Sequence, residues 1–228
     1  MCCYVFVKTL DGAASFNQQY DNYAHLNAVR SFIDTGVYAY DSLLSYPFAW
    51  YSVAAMVAGV GLGEVSVAVN ALNFVIMALI WLAAMCALLC RLFPSQKSVI
   101  LCGALCSVAF VEFPWGIAEF GPLYPNLLGY SVLPAVMAVY VSVIDPAFGK
   151  KTIPKLFLLV VGLASLVFMH PNAVFVGIVF LVPYTVSHFL SCGLSLRARG
   201  IISIAFMAFV AGVWGSLYVG SVSWGCFV

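Results

Sequence analysis

Residues 65–90 read VSVAVNALNFVIMALIWLAAMCALLC, and this stretch decides the fold. It carries no charged side chain and is longer than the roughly 20 apolar residues with which a helix crosses a bilayer. The whole chain shares this character, since 64% of its 228 residues are hydrophobic and 7% are charged. Soluble domains carry about 25% charged residues. We therefore expect lipid to be the main solvent of this protein, and the net charge of +1 gives no nucleic-acid-binding footprint.

Further apolar stretches follow on the C-terminal side of this segment. The predicted spans are Val65–Cys90, Ser98–Phe113, Asn126–Ile144, Ile153–Met169, Asn172–Leu190 and Ile201–Val222. The predicted fold class is an all-α, polytopic transmembrane bundle of about six spans, preceded by two juxtamembrane amphipathic helices at the outer face. The corresponding segments are residues 1–62, which carry the two surface helices, and 63–228, which form the bundle.

Charged residues between the spans indicate the orientation. Seven of the nine basic residues fall in three alternate connections: Arg91 and Lys97, then Lys150, Lys151 and Lys155, then Arg197 and Arg199. Cytoplasmic loops are enriched in Lys and Arg, so these connections are predicted to be cytoplasmic. Seven of the eight acidic residues then lie on the outer side: Asp11, Asp21, Asp34, Asp41, Glu64, Glu112 and Glu119.

The two predicted surface helices precede the first span. Ser15 and Gln18 fit a capping box, and Gly36 supplies a stop, so one helix is expected over residues 16–35. Its apolar residues at helical spacing are expected to rest on lipid: Tyr23, Leu26, Val29 and Ile33. Residues 47–61 (PFAWYSVAAMVAGVG) form the second helix, with Ser45 as N-cap and Pro47 at the first position. A short seventh span is the alternative interpretation of residues 47–61.

Polar residues predicted at the outer face are candidates for function. Asp21 and His25 are four residues apart on one helix, so they are expected to share a face. Such a pair could act as general base and partner, bind a divalent metal, or form a solvated ion pair. Glu119, Asn126 and His170 are predicted at the same face. Arg30 is a candidate for gripping a phosphate, and no cofactor-binding motif is present.

Several motifs together resemble a large uncharacterised family of polytopic membrane proteins from actinobacteria. They are Gln19-Tyr20-Asp21-Asn22-Tyr23-Ala24-His25-Leu26-Asn27-Ala28-Val29-Arg30 with Ile33-Asp34-Thr35-Gly36, Tyr46-Pro47-x-x-Trp50, Phe113-Pro114, Gly121-x-Leu123-Tyr124-Pro125-Asn126, Leu133-Pro134-Ala135 and His170-Pro171-Asn172-Ala173. This family usually has several more helices before the Asp/His motif and a longer C-terminal part, and often His where this chain has Tyr51. These departures predict a fragment or a truncated product.

That family is similar in turn to the C-type membrane glycosyltransferases, which use polyprenyl-phosphate sugars. The resemblance implies Asp21 and His25 as catalytic residues. It also implies substrate binding by Arg30, Trp50, Glu119, Tyr124, Asn126, His170 and Asn172. The implied function is sugar transfer from a polyprenyl-phosphate lipid to a cell-envelope acceptor, in a multi-pass protein of the cell membrane. The alternatives are a non-catalytic envelope protein that binds lipid or aids assembly and, ranked last, a transporter.

Overall fold

The computed structural model describes residues 12–15, 20–37, 47–60, 64–119, 123–145, 147 and 152–191. These residues form helices and no strands, as the composition predicts. The chain divides into two compact units, Met1–Phe175 and Val176–Val228. In the second unit the described residues continue one helix, in which the rings of Tyr184 and His188 stack with centroids 6.1 Å apart.

Two short helices come first, as expected. Helix α1 is Tyr20–Thr35, and it ends at Gly36, whose φ of +69° is the left-handed conformation that favours glycine. Helix α2 is Ala49–Gly59 and has Phe48 as its N-cap. The prediction of Pro47 as first helical residue was therefore wrong, and Ser45 and Gln18 lie outside the described residues.

Four of the described helices are long and apolar enough to cross a membrane. They are α3 (Val65–Leu92), α5 (Tyr124–Ile144), α6 (Thr152–Met169) and α7 (Pro171–Ser191). In α7 the part suited to cross a membrane is Pro171–Phe189. Each coincides with a predicted span to within two residues at either end. Helix α3 contains one π-helical turn, Ile76–Ile80. The predicted span Ile201–Val222 lies outside the described residues.

The predicted span Ser98–Phe113 is not one continuous helix. Helix α4 covers only Lys97–Cys106 and is followed by turns, an extended Phe110 and a kinked segment, Val111–Gly116, in which Phe113 is non-helical. Two indoles compensate for the break: Trp81 donates to the Ser107 carbonyl at 3.1 Å and Trp115 to the Val108 carbonyl at 2.9 Å. These bonds satisfy backbone carbonyls that have no partner within the helix. The irregular backbone at the end of this apolar run is therefore tolerated.

Part of the side of α1 that was predicted to rest on lipid packs into the core. Val29, expected on lipid, is fully buried, whereas Tyr23 remains 45% exposed. Val29 joins an apolar core with Ala54 of α2, Val69 and Ile76 of α3, and Leu127 of α5. The expectation for Val29 was wrong because α2 covers the inner side of α1.

Helix α5 is central in the first unit and approaches its neighbours at two glycines. A Cβ on Gly162 of α6 would lie 3.0 Å from a methyl of Val136, and one on Gly129 would lie 3.2 Å from Ala173 Cβ. Both glycines therefore allow close backbone packing beside α5.

We predict that Gly129→Leu destabilises the protein by about 1–3 kcal/mol, the usual cost of overpacking. Gly59→Leu is the control, because nothing lies within 4 Å of a Cβ at Gly59. Thermal denaturation in detergent measures both. Equal melting temperatures for the two variants would contradict the close approach of α5 to the chain around Ala173.

Candidate functional site

Six buried side chains from four helices meet where α1 and α2 join the long helices. We call them the polar–aromatic cluster: Asn22 and His25 of α1, Trp50 and Tyr51 of α2, Asn73 of α3 and Tyr124 of α5. None is more than 5% exposed. Polar groups buried so fully require partners, because no water reaches them.

Three hydrogen bonds join the members of this cluster in pairs. Tyr124 Oη donates to Asn22 Oδ1 at 3.0 Å, and Trp50 Nε1 donates to Asn73 Oδ1 at 3.1 Å. The His25 Nδ1 atom lies 2.6 Å from Tyr51 Oη, and the tautomer of the imidazole decides which of the two donates. Each bond connects a different pair of helices, so together they fix α1 and α2 against α3 and α5.

The rings of the cluster add a packed aromatic layer. The Tyr124 ring stacks on Trp50 with centroids 4.8 Å apart and 24° between the planes. The His25 ring lies 5.1 Å from Tyr124 and 5.8 Å from Trp50. Such contacts are worth about 0.5–1.5 kcal/mol beyond the buried area.

The two predicted catalytic residues stand in different environments. Asp21 is exposed at the first turn of α1, whereas His25 is 3% exposed and bonded to Tyr51. In the described part of the chain Asp21 and His25 form no hydrogen bond with each other. The two residues lie on one helix as predicted. However, α2 buries the imidazole of His25, whereas the carboxylate of Asp21 stays exposed.

The predicted substrate-binding residues are divided among four places. Trp50 and Tyr124 belong to the cluster, and Asn126 is buried two residues after Tyr124 on α5. Arg30 is exposed and pairs with Asp34, with Nε and Oδ2 2.9 Å apart. His170 and Asn172 lie at the turn between α6 and α7, beside Gly129 of α5. Glu119 ends a short helix, Ile117–Glu119, and its side chain is not described.

His170 acts as the N-cap of α7. Its Nδ1 accepts the backbone N–H of Asn172 at 3.2 Å, and Pro171 takes the first helical position, where no N–H is needed. Burial lowers the pKa of His170 below its usual value, because the charged imidazolium loses hydration. The neutral form is also the one that can accept the Asn172 N–H.

Three cluster members were not among the sequence predictions: Asn22, Tyr51 and Asn73. Of these, Asn73 could have been recognised from the sequence, because a polar side chain inside an apolar span needs a partner. Metal binding by Asp21 and His25 gains no support, since within the described ranges no three His, Cys, Asp or Glu side chains form a group that could hold a metal ion.

We predict that Tyr124→Phe lowers the free energy of unfolding by about 1–3 kcal/mol, because it removes the donor to a buried amide oxygen. Tyr130→Phe is the matched control on the same helix, with an expected change below about 0.5 kcal/mol. Chemical denaturation in detergent followed by tryptophan fluorescence measures both. A Tyr124 variant as stable as the control would exclude an energetic role for the Asn22 bond.

We predict that His170 stabilises the fold above a pH of about 6.5, the usual histidine pKa. Because the folded-state pKa is lowered, this stability is lost as the pH falls through the lowered value. His170→Asn keeps an N-cap acceptor that does not titrate. The difference in melting temperature, variant minus wild type, should therefore grow on acidification from pH 7 to pH 5. A difference independent of pH would refute the titrating cap.

Comparisons with known proteins place the chain in a family. No curated protein and no solved structure is significantly similar to the chain. The predicted similarity to C-type glycosyltransferases therefore stays a prediction. A family model described as a family of unknown function matches residues 1–227. The prediction of an uncharacterised family is thereby confirmed, and the chain belongs to the family DUF6541.

Proposed function

We propose that this chain is a glycosyltransferase-like, multi-pass protein of the cell membrane, which transfers sugar from a polyprenyl-phosphate lipid to a cell-envelope acceptor. The placement of Asp21 carries the proposal. Its carboxylate is exposed on the first turn of α1, while the neighbouring Asn22 and His25 are held by α5 and α2. An exposed acid on a fixed backbone suits a residue that must meet a substrate in a defined geometry.

The proposed chemistry needs one carboxylate at the reacting centre. Asp21 accepts the proton of an acceptor hydroxyl, whose oxygen then bonds to the anomeric carbon of the sugar. The bond between that carbon and the phosphate oxygen breaks, and the polyprenyl phosphate leaves with the electron pair. In this scheme His25 positions Asp21 through the cluster and does not contact substrate, because it is buried.

Binding of the donor phosphate is the demanding part of this scheme. Phosphate is usually held by Arg or Lys. Arg30 lies on α1 with Asp21, but its side chain pairs with Asp34. The pair is exposed on both sides, so a phosphate can compete for the guanidinium at small energetic cost.

A second candidate function is a non-catalytic envelope protein that binds lipid. It is favoured by the internal pairing within the cluster, where three hydrogen bonds join the six side chains to one another. Such pairing is what a purely structural network requires.

We predict that Asp21→Asn reduces sugar transfer at least 10²-fold, the usual contribution of a general base. Asp34→Asn is the matched control, since it removes an exposed carboxylate from the other end of α1. Mass spectrometry of co-purifying lipids is performed first, on wild type and both variants, and a transfer assay with the enriched polyprenyl-phosphate sugar follows.

Enrichment of a polyprenyl-phosphate species in all three proteins, with transfer lost only in Asp21→Asn, is the expected result. Bulk phospholipid alone in all three would instead favour the non-catalytic envelope protein. Equal transfer by the two variants would remove Asp21 from the mechanism.

A further inference from the structure

The break after α4 leaves exposed, non-helical backbone in the middle of the long helices. Ala109 and Phe110 are exposed, and the backbone of Phe110 is extended, with φ −77° and ψ 134°. Just beyond, Phe113 is also non-helical, with φ −140° and ψ 130°. Within a bilayer such backbone occurs only where it is buried in protein or lines a water-filled cavity.

Three helices give the depth of this break consistently. The indole of Trp81 bonds to Ser107 and lies 4.7 Å from the ring of Phe113. Trp81 opens the last helical segment of α3, Trp81–Leu92, so it lies about 16 Å from that end at 1.5 Å per residue. Helix α4 starts near the same end and rises about 15 Å over its length.

The third measure comes from the opposite end of the bundle. The ring of Phe113 lies 6.1 Å from that of Tyr130, which is about 9 Å along α5 from its first residue, Tyr124. Tyr124 stacks on Trp50, whose indole bonds to Asn73, so the start of α5 is level with the polar–aromatic cluster. The break therefore lies well inside the span, nearer to the cluster than to the ends of α3 and α5 at Leu92 and Ile144.

This depth makes Glu112 an unusual residue. The distribution of charged residues along the chain predicts Glu112 on the outer side of the membrane. In the structure Glu112 is exposed and directly precedes Phe113, whose ring lies beside Trp81 and Tyr130. An ionisable side chain facing lipid there would be costly, so such residues face a water-filled cavity or a partner.

We propose that the break and Glu112 line a water-filled pocket, which enters from the side of the polar–aromatic cluster and favours cations over anions. Water in the pocket hydrates the exposed backbone at Ala109 and the carboxylate of Glu112. A carboxylate in a water-filled cleft with low-dielectric walls raises the local concentration of cations and lowers that of anions. The pocket is distinct from Asp21, which stands above the cluster on α1.

Cysteine accessibility tests the pocket. Ala109→Cys is treated with a membrane-impermeant cationic thiol reagent and, separately, with an anionic one. Tandem mass spectrometry identifies the labelled residue, so the native cysteines need not be replaced. Val160→Cys is the control, since Val160 is 64% exposed in the middle of α6 and is expected to face lipid. We expect rapid labelling at 109 and none at 160. Absence of labelling at 109 would overturn the pocket.

The role of Glu112 is tested in the same assay. Adding Glu112→Gln to Ala109→Cys should slow the cationic reagent severalfold while leaving the anionic reagent at least as fast, which shows that the pocket is still open. Equal cationic rates with Glu and Gln would exclude Glu112 from the pocket.

Discussion

The hydrogen-bonded pairing of Asn22, His25, Trp50, Tyr51, Asn73 and Tyr124 is the constraint on which the rest of the first unit depends. These groups are removed from water, so each unpaired donor or acceptor would cost about 1–3 kcal/mol. The pairs can form only when α1 and α2 are fixed in one position along α3 and α5 and in one rotation about their own axes. The same arrangement that satisfies the amides and hydroxyls therefore sets where Asp21 is exposed and where the apolar core beneath begins.

Much of the helical framework was predictable because apolar length is a local property. The spans beginning at Val65 and Ile153 were predicted to within two residues at both ends, since a charged or polar segment bounds each run. The run over residues 98–113 was equally apolar but is not one helix. Its partners are the indoles of Trp81 and Trp115, and Trp81 is distant in sequence, so the pattern of one run could not reveal the break.

The site was predictable in part, for a related reason. Helical spacing placed Asp21 and His25 on α1 correctly, but spacing alone does not show which side of a helix a neighbour covers. Tyr51 of α2 binds His25 and Tyr124 of α5 binds Asn22, and both contacts depend on how separate helices pack.

The π-helical turn Ile76–Ile80 connects the cluster to the break below it. It lies between Asn73, which binds Trp50, and Trp81, which binds the Ser107 carbonyl. In a regular helix residues eight positions apart differ by about 80° in direction at 100° per residue. A π-helical turn absorbs one residue, which reduces the difference to about 20°. Asn73 and Trp81 can then serve the same face of α3, so one helix supports both the polar–aromatic cluster and the irregular backbone that carries Glu112.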